Sequence, residues 1–202
     1  MSRRLRAAAL LAAGLLLAGC TGAPTPAGPP PDVAVDPALV AQREAAGIAD
    51  CPVTDADAPA VAGGLPDLIL GCLGSTKQVN LAGLRGKPMV INFWAQWCGP
   101  CRAEAPHLKE FAERAGDDVL VLGVDFADPN PGLAIDFAQY AGWTYPQLTD
   151  PLKRTAGPIR FTGIPVTIFV DAQGRIVYRT IGAVGSTQQL VDATQQYLGV
   201  AL

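Results

Sequence analysis

The stretch from Asn92 to Pro106 reads NFWAQWCGPCRAEAP and carries two cysteines, Cys98 and Cys101, two residues apart. Such a pair can cycle between dithiol and disulfide, or supply half of a tetrahedral zinc site. Zinc asks for a second close pair or for histidines. The chain has a single His, His107, and Cys51 and Cys72 are widely spaced, so a metal is not expected. Disulfide exchange asks instead for asymmetry between the two thiols. A helix predicted over about Gly99–Ala115 would put Cys98 at its N-terminus, where free amide N–H groups and the helix dipole stabilise a thiolate. Cys101, one turn in, would be shielded. The pattern is that of an exposed attacker and a buried resolving thiol.

Exchange also moves protons. Asn92 cannot carry one, whereas Glu104 and His107 can. Glu104 follows Cys101 by three residues, which puts the two on one helix face. A carboxyl half-buried beside sulfur has a raised pKa, as a base for Cys101 requires. An acid is also favourable in a helix's first turns for electrostatic reasons alone. His107 reads as an ordinary helix-surface residue. Trp97 is expected as an exposed wall of the site and Trp94 as a packing residue.

These residues sit in a chain of 202, half of it hydrophobic and 16% charged, enough for one domain with an appendage. The first residues, MSRRLRAAALLAAGLLLAGC, read as a signal peptide, since the apolar run Ala7–Ala18 is short of the ~20 residues a span needs. Its end, Leu17-Ala18-Gly19-Cys20, resembles the lipobox of bacterial lipoproteins, in which the cysteine is acylated and becomes the new N-terminus. Ser2-Arg3-Arg4 hints at twin-arginine export but Leu5-Arg6-Ala7 departs from it, so the route stays open. Removing residues 1–19 takes away Arg3, Arg4 and Arg6 and no acid, changing the net charge from −3 to −6. An acidic surface argues against nucleic acid as a partner, and membrane attachment would come from acyl chains. With Cys20 lipidated, four cysteines remain. Close spacing pairs Cys98 with Cys101, which leaves Cys51 for Cys72.

Residues 20–64, rich in proline, alanine and small residues, are expected as a tether with a short helix over about Pro37–Ala49, and the domain proper as 65–202. Within it, Leu68–Leu73 and Gln78–Leu81 look like a β-hairpin. Met89–Phe93 and Val119–Val124 look like buried strands, and Gly132–Ala141 like a helix. A hairpin is expected from Val166–Val170 and Arg175–Thr180, and a final helix over Gln188–Leu198. Strand–helix–strand–helix followed by hairpin and helix predicts an α/β fold, a mixed central sheet with helices on both faces.

Phe93-Trp94-Ala95-Gln96-Trp97-Cys98-Gly99-Pro100-Cys101 resembles the active-site signature of thioredoxin, and Gly163-Ile164-Pro165-Val166-Thr167 its cis-proline loop. The resemblance implies the thioredoxin fold over about 65–202. It also implies a substrate groove at Trp97, Gly99, Pro100, Ile164 and Pro165, where the proline's neighbours offer backbone groups to an extended substrate. Two departures from plain thioredoxin, Asn92 in place of a buried aspartate and an extra helix-containing segment before Ile164, are similar to TlpA/ResA-type oxidoreductases. That subfamily commonly has Cys-x-x-Cys-x-x-Glu, matched here by Glu104. The resemblance implies a monomeric, cofactor-free thiol–disulfide oxidoreductase, lipid-anchored at Cys20 on the extracytoplasmic face. It would reduce protein disulfides, apocytochrome c haem-site cysteines among them, with electrons from a membrane thiol carrier. The competing readings are an oxidant of exported proteins, a peroxiredoxin, a copper chaperone and a non-redox binding module. The peroxiredoxin motif Pro-x-x-x-Thr-x-x-Cys would need Pro and Thr where Ile91 and Ala95 stand. The copper chaperone would need Cys-x-x-x-Cys and a distal histidine.

Overall fold

The computed structural model describes residues 36–202, so the signal segment, Cys20 and the tether up to residue 35 lie outside the described residues. Elements are numbered in chain order. The fold is arranged around β3 (Met89–Trp94), whose six residues are all buried. An unbroken apolar run of this kind requires cover on both faces. It pairs in parallel with β4 (Leu120–Phe126) and antiparallel with β6 (Val166–Val170). Beyond β4 lies β5 (Gln147–Asp150), and beyond β6 lies β7 (Ile176–Ile181). The hairpin β1 (Ile69–Cys72) and β2 (Gln78–Asn80) completes a seven-stranded sheet of order β2-β1-β5-β4-β3-β6-β7. This is the expected thioredoxin-like mixed sheet.

Strand alternation divides the interior into two cores. Val90, Trp94, Val121 and Phe169 face α2 (Gly99–Ala115), α3 (Pro131–Ala141) and α5 (Thr187–Leu198). Ile91, Phe93, Leu122, Val124, Val166 and Ile168 face the other way, against Leu65, the short helix α4 (Ala156–Ile159) and Phe161. Helix α2 buries Cys101, Glu104, Ala105, Leu108, Phe111 and Ala115, a stripe at helical spacing that makes one face of it core. Apart from the first helix, the observed bounds lie within two residues of those expected.

The differences have local causes. β5 was not expected, because QLTD is short and, apart from Leu148, polar. Its Asp150 accepts from the backbone N–H of Arg154 and Thr155 and from the Thr155 hydroxyl, which turns the chain into α4. Residues 37–64 are packed on the domain. α1 (Pro37–Ala45) lies against α3, and the Arg43 guanidinium is buried, donating to the carbonyls of Gly74 and Ile48. Thr54 accepts from the Asn80 backbone, and Gly64 bridges Arg175 at the start of β7.

Cys51 and Cys72 form a disulfide that ties this leading segment to β1, with both residues in the core. Lys77 and Asp50, paired at 2.9 Å, lie over it. Cross-linking residues 21 apart in sequence restricts the unfolded chain. Replacing both cysteines by alanine is therefore expected to cost about 3 kcal/mol. Urea unfolding measures this, and an unchanged midpoint would show that the bridge contributes nothing.

Candidate active site

Cys98 is the N-cap of α2, and its sulfur accepts from the Cys101 backbone N–H at 3.2 Å. The first turn of a helix leaves N–H groups without partners, so whatever sits there is favoured as an anion. Cys98 and Cys101 are bonded to each other, with Cα atoms 5.3 Å apart. Their exposures are 5% and 0%, a smaller contrast than an open attacker implies. In the disulfide the asymmetry therefore lies mainly in the helix cap, which serves Cys98 alone. Trp97 stands beside it at 55% exposure, and Gly99 and Pro100 are exposed. The Ile164–Pro165 bond is cis, with Ile164 half-buried and Pro165 buried. The Pro165 carbonyl is engaged by the Gly182 N–H at the end of β7.

Glu104 is completely buried. Asn92 Nδ2 donates to one carboxyl oxygen at 2.9 Å, and the Val184 N–H, in the loop before α5, donates to the other at 2.9 Å. Burial opposes the charged form more than these two donors favour it, and the carboxyl is raised from 4.5 to about 7. A group at that value can both take and release a proton near neutral pH. His107 is half-exposed, one turn further along the helix.

The alternation of β3 explains Asn92. It shares a face with Val90 and Trp94, so it points at α2, and its amide also donates to the Thr167 hydroxyl at 3.0 Å. Thr167, Asn92, Gly123 and Gln147 lie side by side across β6, β3, β4 and β5. Only glycine fits at 123, since a Cβ there would stand 1.7 Å from Gln147 Oε1. That oxygen instead accepts from the Trp94 indole N–H at 3.0 Å. The inserted helix adds Phe137, packed on Trp94 at 5.4 Å, and the Arg102 guanidinium covers Phe137 at 4.8 Å. Trp143 closes the cage against Trp94 at 5.0 Å, and its indole donates to the Ala105 carbonyl. Trp94 is thus a packing residue with a polar tether, and the insertion forms the back wall of the site.

The expected site residues Cys98, Cys101, Glu104, Trp97, Ile164 and Pro165 gather at the C-terminal end of β3 and the start of α2 and β6. Asn92 was set aside because it cannot titrate, yet it is the side chain that holds Glu104. The lone amide within the otherwise apolar MVINFW was the available signal. Asp125 was also missed. It lies on the same face, wholly buried, and burial together with nearby Asp128 raises its carboxyl to about 9. Among the described residues, no helix is long and apolar enough to cross a membrane.

Residues 55–196 match the profile of the Redoxin family. The chain belongs to that family. A thiol:disulfide interchange protein DsbE homolog of Paracoccus denitrificans is 42% identical over 94 residues, 46% of this chain and 50% of that protein. The interchange protein HelX of Rhodobacter capsulatus is 36% identical, over 58% of this chain and 65% of its own. ResA of Geobacillus thermodenitrificans is 29% identical, over 61% of this chain and 70% of its own. The chain thus spans about half to two thirds of the length of the first curated relatives it matches. Among solved structures, a secreted thiol-disulfide isomerase from Corynebacterium glutamicum superposes with a TM-score of 0.61 at 28% identity, covering 67% of this chain and 86% of that one. A DsbF homologue from Corynebacterium diphtheriae gives 0.59 at 30% identity, covering 71% and 91%. Within the Redoxin family the chain is of the TlpA/ResA type.

The raised carboxyls set a pH dependence. A group whose folded pKa lies above its ordinary value stabilises the fold most below that ordinary value, and the contribution fades as pH rises through the folded pKa. For Glu104 the window runs from 4.5 to about 7. Glu104→Gln is therefore expected to gain on the wild type as pH rises from 5 to 8, by up to about 3 kcal/mol. Urea unfolding of the oxidised protein across that range measures it. A difference that stays constant with pH would show that Glu104 is not held neutral.

Proposed function

We propose that this Redoxin-family protein is a thiol–disulfide oxidoreductase that reduces protein disulfides on the extracytoplasmic face of the membrane. The observation that carries the reading is a helix-capping sulfur, Cys98, joined to a buried partner that shares its helix face with the buried carboxyl of Glu104. In the reduced protein the Cys98 thiolate attacks a substrate disulfide. A mixed disulfide forms, and the first substrate sulfur leaves and takes up a proton. Glu104 accepts the proton of Cys101, whose thiolate then breaks the Cys98–substrate bond. The second substrate sulfur leaves and is protonated from Glu104. The substrate has gained two electrons and two protons, and the protein is left with the Cys98–Cys101 disulfide.

Trp97, Gly99, Pro100, Ile164 and Pro165 would line the substrate groove, where an extended segment can pair with backbone beside the cis-proline. Gly99-Pro100 supports the reducing direction, because thioredoxin carries the same dipeptide and its couple is near −270 mV. The resemblance to TlpA/ResA proteins supports apocytochrome c haem-site cysteines as substrate and a membrane thiol carrier as electron source. A potential near that of protein disulfide isomerase, about −180 mV, would reverse the direction.

Insulin reduction by dithiothreitol tests the activity. Cys98→Ser is expected to abolish it, and Cys101→Ser to trap mixed disulfides. Glu104→Gln is expected to keep the fold while slowing exchange roughly 10²-fold. Wild-type rates for Glu104→Gln across pH 5 to 8 would remove Glu104 from the mechanism.

Anchoring rests on the lipobox-like Leu17-Ala18-Gly19-Cys20. Cys20→Ala in the exporting cell should release the protein from membranes or leave an uncleaved precursor. An unchanged membrane fraction and mature mass would point to another attachment.

A further inference from the structure

The two disulfides of this chain sit in opposite electrical surroundings. Cys98 Sγ accepts an N–H at a helix cap. The sulfurs of the Cys51–Cys72 bridge are met by oxygens instead. Asp50 Oδ1 stands 3.5 Å from Cys72 Sγ, and the Gln147 carbonyl oxygen of β5 stands 3.3 Å from Cys51 Sγ. Asp50 is held from two sides. Its Oδ1 accepts from the Cys51 N–H at 2.9 Å, and its Oδ2 pairs with Lys77 Nζ at 2.9 Å. Lys77 in turn donates to the Cys51 carbonyl at 3.3 Å. Both cysteines are buried, at 1% and 4% exposure, whereas the Asp50 and Lys77 side chains are 33% and 42% exposed. A reductant coming from solvent on this side meets the ion pair first.

Resting on the reading of Cys98–Cys101 as the couple that exchanges, we propose that Asp50 determines which disulfide takes part. Its carboxylate, held against Cys72 Sγ, keeps the Cys51–Cys72 bridge out of thiol–disulfide exchange. Opening the bridge requires a thiolate to bond to one sulfur while the other leaves as a thiolate. Attack on Cys72 brings the incoming anion up to the carboxylate and expels the Cys51 sulfur against the Gln147 carbonyl oxygen. Attack on Cys51 expels the Cys72 sulfur as an anion beside the same carboxylate. Both routes are opposed. Burial works against the Asp50 charge, but Lys77, Ser75 and the Cys51 N–H outweigh it and lower the carboxyl's pKa, so the charge is present at neutral pH. Lys77 softens the repulsion without cancelling it, because its ammonium lies on Oδ2 while Oδ1 faces the sulfur. An uncharged side chain of the same shape could still accept from the Cys51 N–H, so the local turn does not require the charge. The chemistry of the protein does. Its reduced form presents a thiolate at Cys98, and a bridge equally open to thiolates would be reduced by other copies, releasing residues 37–64 from β1.

Asp50→Asn keeps the shape and removes the charge. Bridge opening in the oxidised protein is followed by alkylation and peptide mass mapping of Cys51 and Cys72. Two thiols of opposite charge serve as reductants, mercaptoethanesulfonate and cysteamine. Removing a unit charge about 4 Å away in well-solvated surroundings changes a rate about fivefold. Asp50→Asn is therefore expected to open the bridge about fivefold faster with mercaptoethanesulfonate, with a smaller gain for cysteamine and no change at Cys98–Cys101. A merely structural role for Asp50 would speed both thiols alike. That result, or an unchanged rate, would overturn the proposal. Lys77→Met removes part of the cover and leaves the charge, and is expected to slow mercaptoethanesulfonate. Faster opening with both thiols would show that cover alone protects the bridge, and would also overturn it. If Asp50→Asn does not fold, Asp50→Ser, which can also accept from the Cys51 N–H, takes its place with the same expectations. Insulin reduction retained by Cys98→Ser would defeat the reading of the exchanging couple, whereas equal acceleration by both thiols defeats only the role of Asp50.

Discussion

A carboxyl group with no exposed surface needs donors, and the two that hold Glu104 come from places far apart in the chain. Asn92 lies 12 residues before it and Val184 80 residues after. Neither donor can reach unless α2 lies flat on β3 and the loop from β7 folds back over both. Leaving a buried carboxylate unpaired costs several kcal/mol, so the bonds to Glu104 are a condition on how the central helix, the central strand and the C-terminal loop can dock. The same docking brings the cap at Cys98 and the cis bond at Ile164–Pro165 to one end of the sheet.

The rest of the helical face supports that arrangement. Trp94 follows Asn92 by two residues and so lies on the same side of β3. It is held by the Gln147 amide, which Gly123 makes room for, and by Phe137 and Trp143. Phe137 belongs to the inserted helix α3, and α1 covers that helix in turn through Gln42, which donates to Asp136 and to the Gly132 carbonyl. The leading segment that looked like tether is therefore an outer layer of the site, and the Cys51–Cys72 bridge fixes its far end.

What the chain's pattern disclosed divides along the range of the interactions. The span of α2, the strands of the central sheet and the β6–β7 hairpin follow from periodicity and turn residues, which act over a few positions. Glu104 was visible for the same reason, as an offset of three on a helix. The role of Asn92 needed strand alternation combined with the knowledge of which helix lies above, and nothing local marks Val184. β5 escaped because QLTD has neither alternation nor length, and its place in the sheet comes from pairing with β4 and β1. Residues 37–64 read as tether with a short helix, yet the composition of a segment does not count the surface a neighbouring domain offers it.

The two faces of the sheet carry different burdens. Asp150, on the face opposite α2, has both oxygens engaged by the turn it caps. Among the described residues, the buried side-chain polar atoms without partners are on Asn92, Asp125, Asp128, Tyr145 and Thr194, which belong to the helical face or its edge. Each unpartnered atom costs roughly 1–3 kcal/mol, and a chain selected for stability alone would have apolar residues in several of these positions. Local rules broken together, in one layer beside a dithiol, mark chemistry more than packing. The opposite core, apolar and fastened by Cys51–Cys72, offsets that cost without touching the reacting sulfurs. A fold divided in this way can keep one face rigid while protons and disulfides are exchanged on the other.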